Sequence, residues 1–241
     1  MSYFESRLPI DIYNLTEVQK KLKLCEELGI KNVIIEPKKI KTEIILENKK
    51  AIERETNLNI FYRVNLKLDN LNAYKSRIKH FNNFSDILSI ESLNKEVQIH
   101  AARDSRVDII SFSDPEIMKT LTPGVISLTR QNNSFLEFSM APIMVRNKIY
   151  QSKNFRNLYR TIQLALKLKA NCIISGNFDD IYDFRHPRAL ISICNSLLGI
   201  PLGKAKNIFT INPNLLIGRS KKRVDNKFEP EVRILSNGDI P

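Results

Sequence analysis

Several features are scarce or missing in this chain of 241 residues. It has only seven glycines and no tryptophan, which excludes collagen-like and glycine-rich low-complexity proteins. No stretch approaches the roughly 18–20 consecutive apolar residues of a membrane helix, and residues 1–5 have neither the basic nor the apolar region of a secretory signal. The three cysteines, at 25, 172 and 194, form no C-x-x-C pair. We therefore expect buried thiols in a reducing, cytoplasmic compartment and no zinc site.

Acidic residues are also scarce relative to basic ones. The chain has 38 Lys and Arg against 26 Asp and Glu, a net charge of +12. Residues 151–241 hold 15 basic and 7 acidic side chains, so this part carries +8 of the total. A one-sided basic excess favours a polyanionic partner, although a surface charge that serves only solubility would look the same. The hydrophobic content of 42% is that of a folded globular protein.

Short apolar runs alternate with amphipathic segments along the chain. The pattern predicts strands at 32–36, 60–66, 86–91, 108–112, 125–129, 134–139, 171–175 and 210–217. It predicts helices at 16–29, 42–55, 93–103, 115–121, 154–169, 187–198 and 202–207. Repeated βα units indicate a parallel sheet, either doubly wound or closed. No G-x-G-x-x-G follows an early strand, so the prediction is an α/β, TIM-barrel-like domain over residues 1–218, followed by a basic, poorly structured tail over 219–241.

Residues for independent catalysis are hard to find. The histidines at 80, 100 and 186 are widely separated, and the sequence contains neither a G-x-S-x-G elbow nor a Walker motif. Glu36 and Glu91 end predicted strands, where barrel enzymes place catalytic groups. One hypothesis is therefore a stand-alone metal-dependent phosphoesterase that uses Glu36, Glu91 or Asp179. The other interpretation is that these carboxylates form caps or salt bridges. A Ser-Gly turn at Gly176 offers backbone N–H groups to a phosphate, although the dipeptide is a weak motif.

Three segments of the sequence resemble a known family. They are Ile173-Ile174-Ser175-Gly176, then Asp183-Phe184-Arg185-His186-Pro187-Arg188-Ala189-Leu190, then Leu197-Leu198-Gly199-Ile200. Together they resemble the ribonuclease P protein component 3 family, the archaeal counterpart of the eukaryotic thirty-kilodalton subunit. The Glu5-Ser6-Arg7 tripeptide and the stretch 212–217 are also similar. Asn177 and His186 depart from the family pattern, which usually has Ala and Ser there.

The resemblance implies a ribonucleoprotein subunit with no active site of its own. In that family a catalytic RNA removes the 5′ leader of precursor tRNA, a reaction expected to need magnesium, and the protein binds no cofactor. The implied partners are the ribonuclease P RNA, component 2 in a heterotetramer with two copies of each, the other ribonuclease P proteins and precursor tRNA. The fold is similar to the polymerase and histidinol phosphatase superfamily, whose metal-binding histidines are not evident in this sequence.

Basic side chains near the family-like block are the candidates for RNA contact. They are Arg185, Arg188, Lys204, Lys206, Arg219, Lys221, Lys222 and Arg223. Contacts of this kind position the RNA backbone and do not read its sequence. For Arg185 and Arg188, an internal ion pair with Asp180 or Asp183 remains an alternative. For the run 219–223, the alternative is a solvated stretch of charge.

Overall fold

The computed structural model describes residues 2–38, 46–81 and 86–228. Its strands are β1 (Tyr3–Ile10), β2 (Ile30–Pro37), β3 (Asn59–Lys67), β4 (Ile87–Glu91), β5 (Ile109–Phe112), β6 (Phe135–Ser139) and β7 (Cys172–Ser175). Its α-helices are α1 (Leu15–Glu27), α2 (Leu46–Arg54), α3 (Leu71–Ile78), α4 (Lys95–Arg103), α5 (Pro115–Met118), α6 (Pro123–Gln131), α7 (Lys148–Lys167), α8 (Pro187–Ser196), α9 (Leu202–Ile208) and α10 (Ile211–Phe228). In this described part, no helix is long and apolar enough to cross a membrane.

The strands form one parallel sheet in the order β1 to β7, so each strand pairs with its neighbour in sequence. The sheet curls until its two edges approach each other. At this seam the Gly176 N–H, just after β7, donates to the Glu5 carboxylate of β1 at 2.9 Å. The Phe4 N–H donates to the Phe209 carbonyl at 3.0 Å. The predicted TIM-barrel-like architecture is confirmed, with seven strands in a nearly closed barrel.

Side chains alternate between the two faces of the strands. The outward set, which includes Val33, Val64, Leu88 and Leu136, packs under the helices in the main apolar core. The inward set has two parts. At the amino ends of the strands it is apolar and forms a second core of Phe4, Ile34, Ile87, Ile109, Phe135 and Ile173, joined by Leu216 and Ile217 of α10. Further along the strands the inward side chains are polar and charged.

Helix α10 therefore covers the amino-terminal end of the barrel. Its Leu216 and Ile217 are buried against the second core, and Asn212 donates to the Cys172 carbonyl at the start of β7 (2.7 Å). The predicted strand at 210–217 is wrong, because this segment begins α10. Pro213 stands near the start of α10, where a missing N–H costs little. The predicted tail is also wrong at its start, since residues 219–228 continue the helix; residues 229–241 lie outside the described part.

Two other predictions differ from the structure. The segment 125–129 is part of α6, which Thr122 caps by accepting from the Val125 N–H and in which Pro123 holds the first turn. Strand β1 was not predicted at all. The predicted helix at 42–55 is observed as α2 from Leu46, while residues 42–45 lie outside the described part.

Candidate nucleic-acid interface

Two arginines and three glutamates fill the polar part of the barrel interior. Arg7 donates to the Glu36 carboxylate through Nη2 at 2.8 Å and to Glu91 at 3.2 Å. Arg63 forms a two-pronged pair with Glu137, with both Nη atoms 2.8 Å from a carboxylate oxygen. Arg63 and Glu137 are fully buried. Each strand from β1 to β4 contributes one member and β6 the fifth, so the network ties distant strands together.

Neutral side chains complete this network. Arg7 donates to Ser111 at 3.1 Å, and Arg63 donates to Ser89 at 2.7 Å. Asn65 donates to Glu91 at 2.7 Å and accepts from the Ser89 hydroxyl. Buried charges are stable only when both the charge and the remaining hydrogen-bonding atoms have partners. This cluster supplies most of them, and the Nε atoms of Arg7 and Arg63 lie 2.8 and 3.2 Å from Glu36 Oε2 as ion-pair contacts without hydrogen-bond geometry.

The charges in the cluster set each other's ionisation. Burial disfavours the charged form of Glu137, yet the pKa of this carboxyl lies below its usual value because Arg63 and Arg7 outweigh the burial. The pKa of Arg7 is raised: burial opposes its charge, and Glu137, Glu36 and Glu91 overcome that opposition. The Glu137 carboxylate is therefore held in its ionised form, paired with the Arg63 guanidinium.

Of the three carboxylates of the phosphoesterase hypothesis, Glu36 and Glu91 are brought together around Arg7, and Asp179 lies apart from them. Glu36 and Glu91 hold Arg7, as the salt-bridge interpretation predicts. Asp179 is exposed and pairs with Lys38 at 2.6 Å and with Lys21 at 3.5 Å, on a different cluster that includes Glu17. In the ranges that the structure covers, no three metal-ligating side chains converge. Among the histidines, His80 and His100 are exposed, and His186 caps α8 by accepting from the Arg188 N–H.

The Ser-Gly turn after β7 does not present its first N–H to an outside phosphate. The Gly176 N–H is held by Glu5, which also accepts from the Arg7 N–H at 3.1 Å. Burial raises the pKa of Glu5 to about 7, against the lowering effect of these backbone hydrogen bonds. A Cβ atom at Gly176 would lie 2.6 Å from a Glu5 oxygen. Glycine is required here because the carboxylate closes the barrel seam.

The predicted RNA-contact residues fall into two groups at opposite ends of the barrel. Arg185 and Arg188 are exposed at the carboxyl end of β7. Arg185 donates to the Tyr182 and Phe184 carbonyls at 2.6 and 2.8 Å. Within the described ranges neither arginine pairs with Asp180 or Asp183, so the ion-pair alternative is not observed. Both guanidinium groups face solvent.

The second group lies at the amino end of the barrel, on α9 and α10. Lys204, Lys221 and Lys222 are exposed, and Lys206 is half-buried. Lys204 is near enough to Cys172 for its charge to oppose the burial that raises the pKa of that thiol. These lysines make no ion pair within the described ranges and remain candidates for phosphate contact.

Arg219 and Arg223 instead hold α10 on the barrel. Arg223 donates to the Asp108 carboxylate at 3.0 Å and to the Asp86 carbonyl at 2.8 Å. Arg219 donates to the Val107 carbonyl at 2.9 Å. Asp108 is fully buried, and burial raises its pKa although both arginines oppose that shift. Arg223 is itself buried, so the interpretation of 219–223 as a solvated run fails for these two side chains.

Sequence reasoning missed the main polar cluster. Of its charged members, Arg7 appeared only in the family-like tripeptide, and Arg63 and Glu137 were not singled out. The signal that could have revealed it is a polar side chain at every second position within the strands. These residues are Arg63 and Asn65 in β3, Ser89 and Glu91 in β4, and Glu137 in β6. Alternation of this kind marks one face of a strand, and in a barrel that face points inward.

Comparisons with known proteins agree on the family. The model of the family described as RNase P subunit p30 matches residues 3–225. The Ribonuclease P protein component 3 of Methanococcus maripaludis is 23% identical over 139 residues, which are 57% of this chain and 60% of the relative's length. A chain in a cryo-EM structure of archaeal Ribonuclease P with mature tRNA superposes with a TM-score of 0.70 at 18% identity, covering 98% of this chain and 100% of the other.

The barrel itself is shared more widely. A putative prolidase from Bifidobacterium longum superposes with a TM-score of 0.60 at 7% identity, covering 91% of this chain and 70% of that one. At such identities the superpositions establish the fold alone.

Proposed function

The chain belongs to the RNase P subunit p30 family, and we propose that it is a protein subunit of ribonuclease P that supports a catalytic RNA in removing the 5′ leader of precursor tRNA. The observation that carries this proposal is the family match over residues 3–225, nearly the whole described chain. The superposition on a chain of archaeal Ribonuclease P over 98% of this chain supports it.

In this proposal the chain contributes no active site. The glutamates of the barrel interior are bound to Arg7 and Arg63 at 2.8–3.2 Å, which leaves no free carboxylate cluster there for a catalytic metal. Magnesium would serve the RNA-catalysed reaction. The protein would act as a scaffold. Its free thiols support a location in the cytoplasm, which is a reducing compartment.

The scaffold would act through phosphate neutralisation. Folding brings RNA phosphates together, and cationic side chains lower the resulting repulsion by displacing condensed counterions. Arg185 and Arg188 at one end, and Lys204, Lys221 and Lys222 at the other, are exposed and supply such charges. The separation of the two groups favours contact with more than one RNA segment.

The proposed protein partner is component 2, in an assembly with two copies of each chain, alongside the other ribonuclease P proteins. Large apolar side chains support a protein contact at the carboxyl end of the barrel. Ile149 and Tyr150 follow β6, and Tyr182 follows the adjacent β7; these three are 78%, 59% and 80% exposed. Exposed large apolar side chains at one end of a domain are typical of protein interfaces.

Reconstitution tests the main proposal. The ribonuclease P RNA and the remaining protein subunits are assembled with and without this chain, and cleavage of precursor tRNA is measured at low magnesium concentration. We expect cleavage to fall when the chain is omitted and to recover when it is added. Cleavage that does not depend on the chain would contradict the proposal.

A second assay separates this role from independent hydrolysis. The purified chain, freed of RNA, is tested for metal-dependent phosphoesterase activity. We expect no activity. Robust activity that is lost in Glu91→Gln, with the fold of the variant verified by circular dichroism, would favour the enzyme hypothesis instead.

A further inference from the structure

A long groove crosses the amino-terminal end of the barrel beside α10. Its volume is about 1140 Å³. Small-molecule sites usually occupy roughly 300–1,000 Å³, so this groove has room for a short stretch of polymer. It is lined by the loops that enter β5, β6 and β7 and by α9 and α10. None of the interior ion pairs of the barrel belongs to it.

Asparagine dominates the lining of the groove. Six of its lining residues are asparagine, and four of these, Asn133, Asn171, Asn207 and Asn214, make no side-chain hydrogen bond within the described ranges. Each such amide offers two N–H donors and one carbonyl acceptor. Amides in one groove without a partner in the described part of the chain match a ligand whose edge also carries both donors and acceptors.

The remaining lining supplies apolar surface and positive charge. Phe4 and Phe135, which are buried in the second core, form part of the groove wall, and Leu215 of α10 lines it with 59% of its surface exposed. Lys222 is exposed and makes no ion pair within the described ranges. Across the described lining, no carboxylate reaches the groove surface; Asp108 lies beneath it, fully buried against Arg223.

We propose that this groove binds an unpaired segment of RNA and holds a splayed base, preferentially adenine, against the free amides. Proteins that recognise RNA sequence do so mainly at single-stranded nucleotides, through stacking and hydrogen bonds to base edges. An asparagine amide pairs in two-pronged fashion with the N6 and N7 atoms of adenine. Lys222 meets the adjoining phosphate, and the apolar lining receives the base. The choice of RNA as the ligand rests on the proposed function, which this inference deepens.

Fluorescence anisotropy with the full-length chain tests the groove. The probes are labelled oligoadenylate, oligouridylate of equal length, and an RNA duplex. We expect the parent chain to bind oligoadenylate most tightly. Asn171→Ala combined with Asn214→Ala should weaken oligoadenylate binding by about 5- to 150-fold, the discrimination of one two-pronged contact, and leave oligouridylate binding unchanged. Lys222→Ala should weaken both single strands alike and reduce the salt slope by about one.

Matched variants outside the groove control for loss of amide or charge. Asn57→Ala removes an exposed amide, and Lys148→Ala removes an exposed lysine at the opposite end of the barrel; both should bind all three probes like the parent. Equal affinity of the parent for the two single strands, or unchanged binding in the asparagine variant, would overturn the inference. The anisotropy assay measures binding and not cleavage. A negative result would therefore contradict the groove proposal only, and the proposed role as a ribonuclease P subunit is tested separately by reconstitution.

Discussion

Glu137→Gln is the sharpest test of the network inside the barrel. Glu137 is fully buried and accepts two hydrogen bonds of 2.8 Å from Arg63, while Arg7 lies 3.7 Å away. Glutamine has the same shape but no charge, and its NH₂ group would face guanidinium donors. Removing one partner of a buried pair typically costs about 3–5 kcal/mol, because the other charge stays buried without compensation. We expect a loss of that size from a total stability of about 5–15 kcal/mol.

Urea unfolding followed by circular dichroism measures this loss. The double variant Arg63→Met with Glu137→Leu removes both charges and keeps apolar volume, so we expect it to lie within about 2 kcal/mol of the parent. In the double-mutant cycle completed by the single variants Arg63→Met and Glu137→Leu, the losses of unfolding free energy should therefore be strongly non-additive. Glu116→Gln, in an exposed pair with Lys119, should leave the unfolding midpoint unchanged. A decrease in the free energy of unfolding of less than about 1 kcal/mol in Glu137→Gln, or additive decreases in the double variant, would refute the reasoning.

Further predictions concern the seam and helix α10. Arg223→Ala should lower the free energy of unfolding by about 3 kcal/mol, as expected when a buried acid loses a cationic partner. The double variant Lys221→Ala with Lys222→Ala should leave stability unchanged and reduce the salt dependence of RNA binding. Gly176→Ala should cost about 1–3 kcal/mol through overpacking against Glu5. Because burial raises the pKa of Glu5 to about 7 from its ordinary value of 4.5, the folded state holds the proton more tightly than the unfolded state. The contribution of Glu5 to stability should therefore be largest below pH 4.5, fall by about 3 kcal/mol as the pH rises to 7, and then level off. Glu5→Gln should flatten this part of the pH profile.

Each of these has a measurement that can contradict it. Thermal or urea unfolding at several pH values measures the stability changes at the seam and at the helix. A difference in stability between the parent and Glu5→Gln that stays constant between pH 4.5 and 7 would exclude the assigned role of Glu5. Filter binding at several salt concentrations measures how much Lys221 and Lys222 contribute to the salt dependence of RNA binding. A salt slope that is unchanged in the two-lysine variant would remove Lys221 and Lys222 from the RNA contacts. A stable Arg223→Ala variant would show that Arg219 and the Leu88 N–H are sufficient partners for Asp108.

The sequence predicted the βα succession well because the outward faces of the strands and the inner faces of the helices are regularly apolar. The 154–169 helix, part of α7, and the strand at 171–175 follow directly from such patterns. Strand β1 was missed because Glu5, Arg7 and Pro9 interrupt its apolar residues. Its charged side chains are satisfied by residues of other strands, and a local window contains no sign of those partners.

The same limit explains the errors at α6 and α10. Apolar runs of about eight residues fit either a strand or a buried helix, and only tertiary contacts decided between them. The burial of Arg223 could not be predicted from the run 219–223, because its partner Asp108 stands 115 residues earlier in the chain. Lys221 and Lys222 are exposed, as in the alternative of a solvated stretch of charge, but they lie on α10 and not in a poorly structured tail.

The seam between Glu5 and Gly176 has a consequence for biosynthesis. These residues are separated by 171 positions, and α10, which covers the second core, comes later still. A ribosome therefore releases most of the barrel before either closure can form, and until then the nascent sheet keeps an open β1 edge and an uncovered ring of Ile34, Ile87 and Ile109. Unpaired edges beside apolar surface promote aggregation. Chains stalled before residue 211 should accordingly depend on chaperones, while completed chains should not.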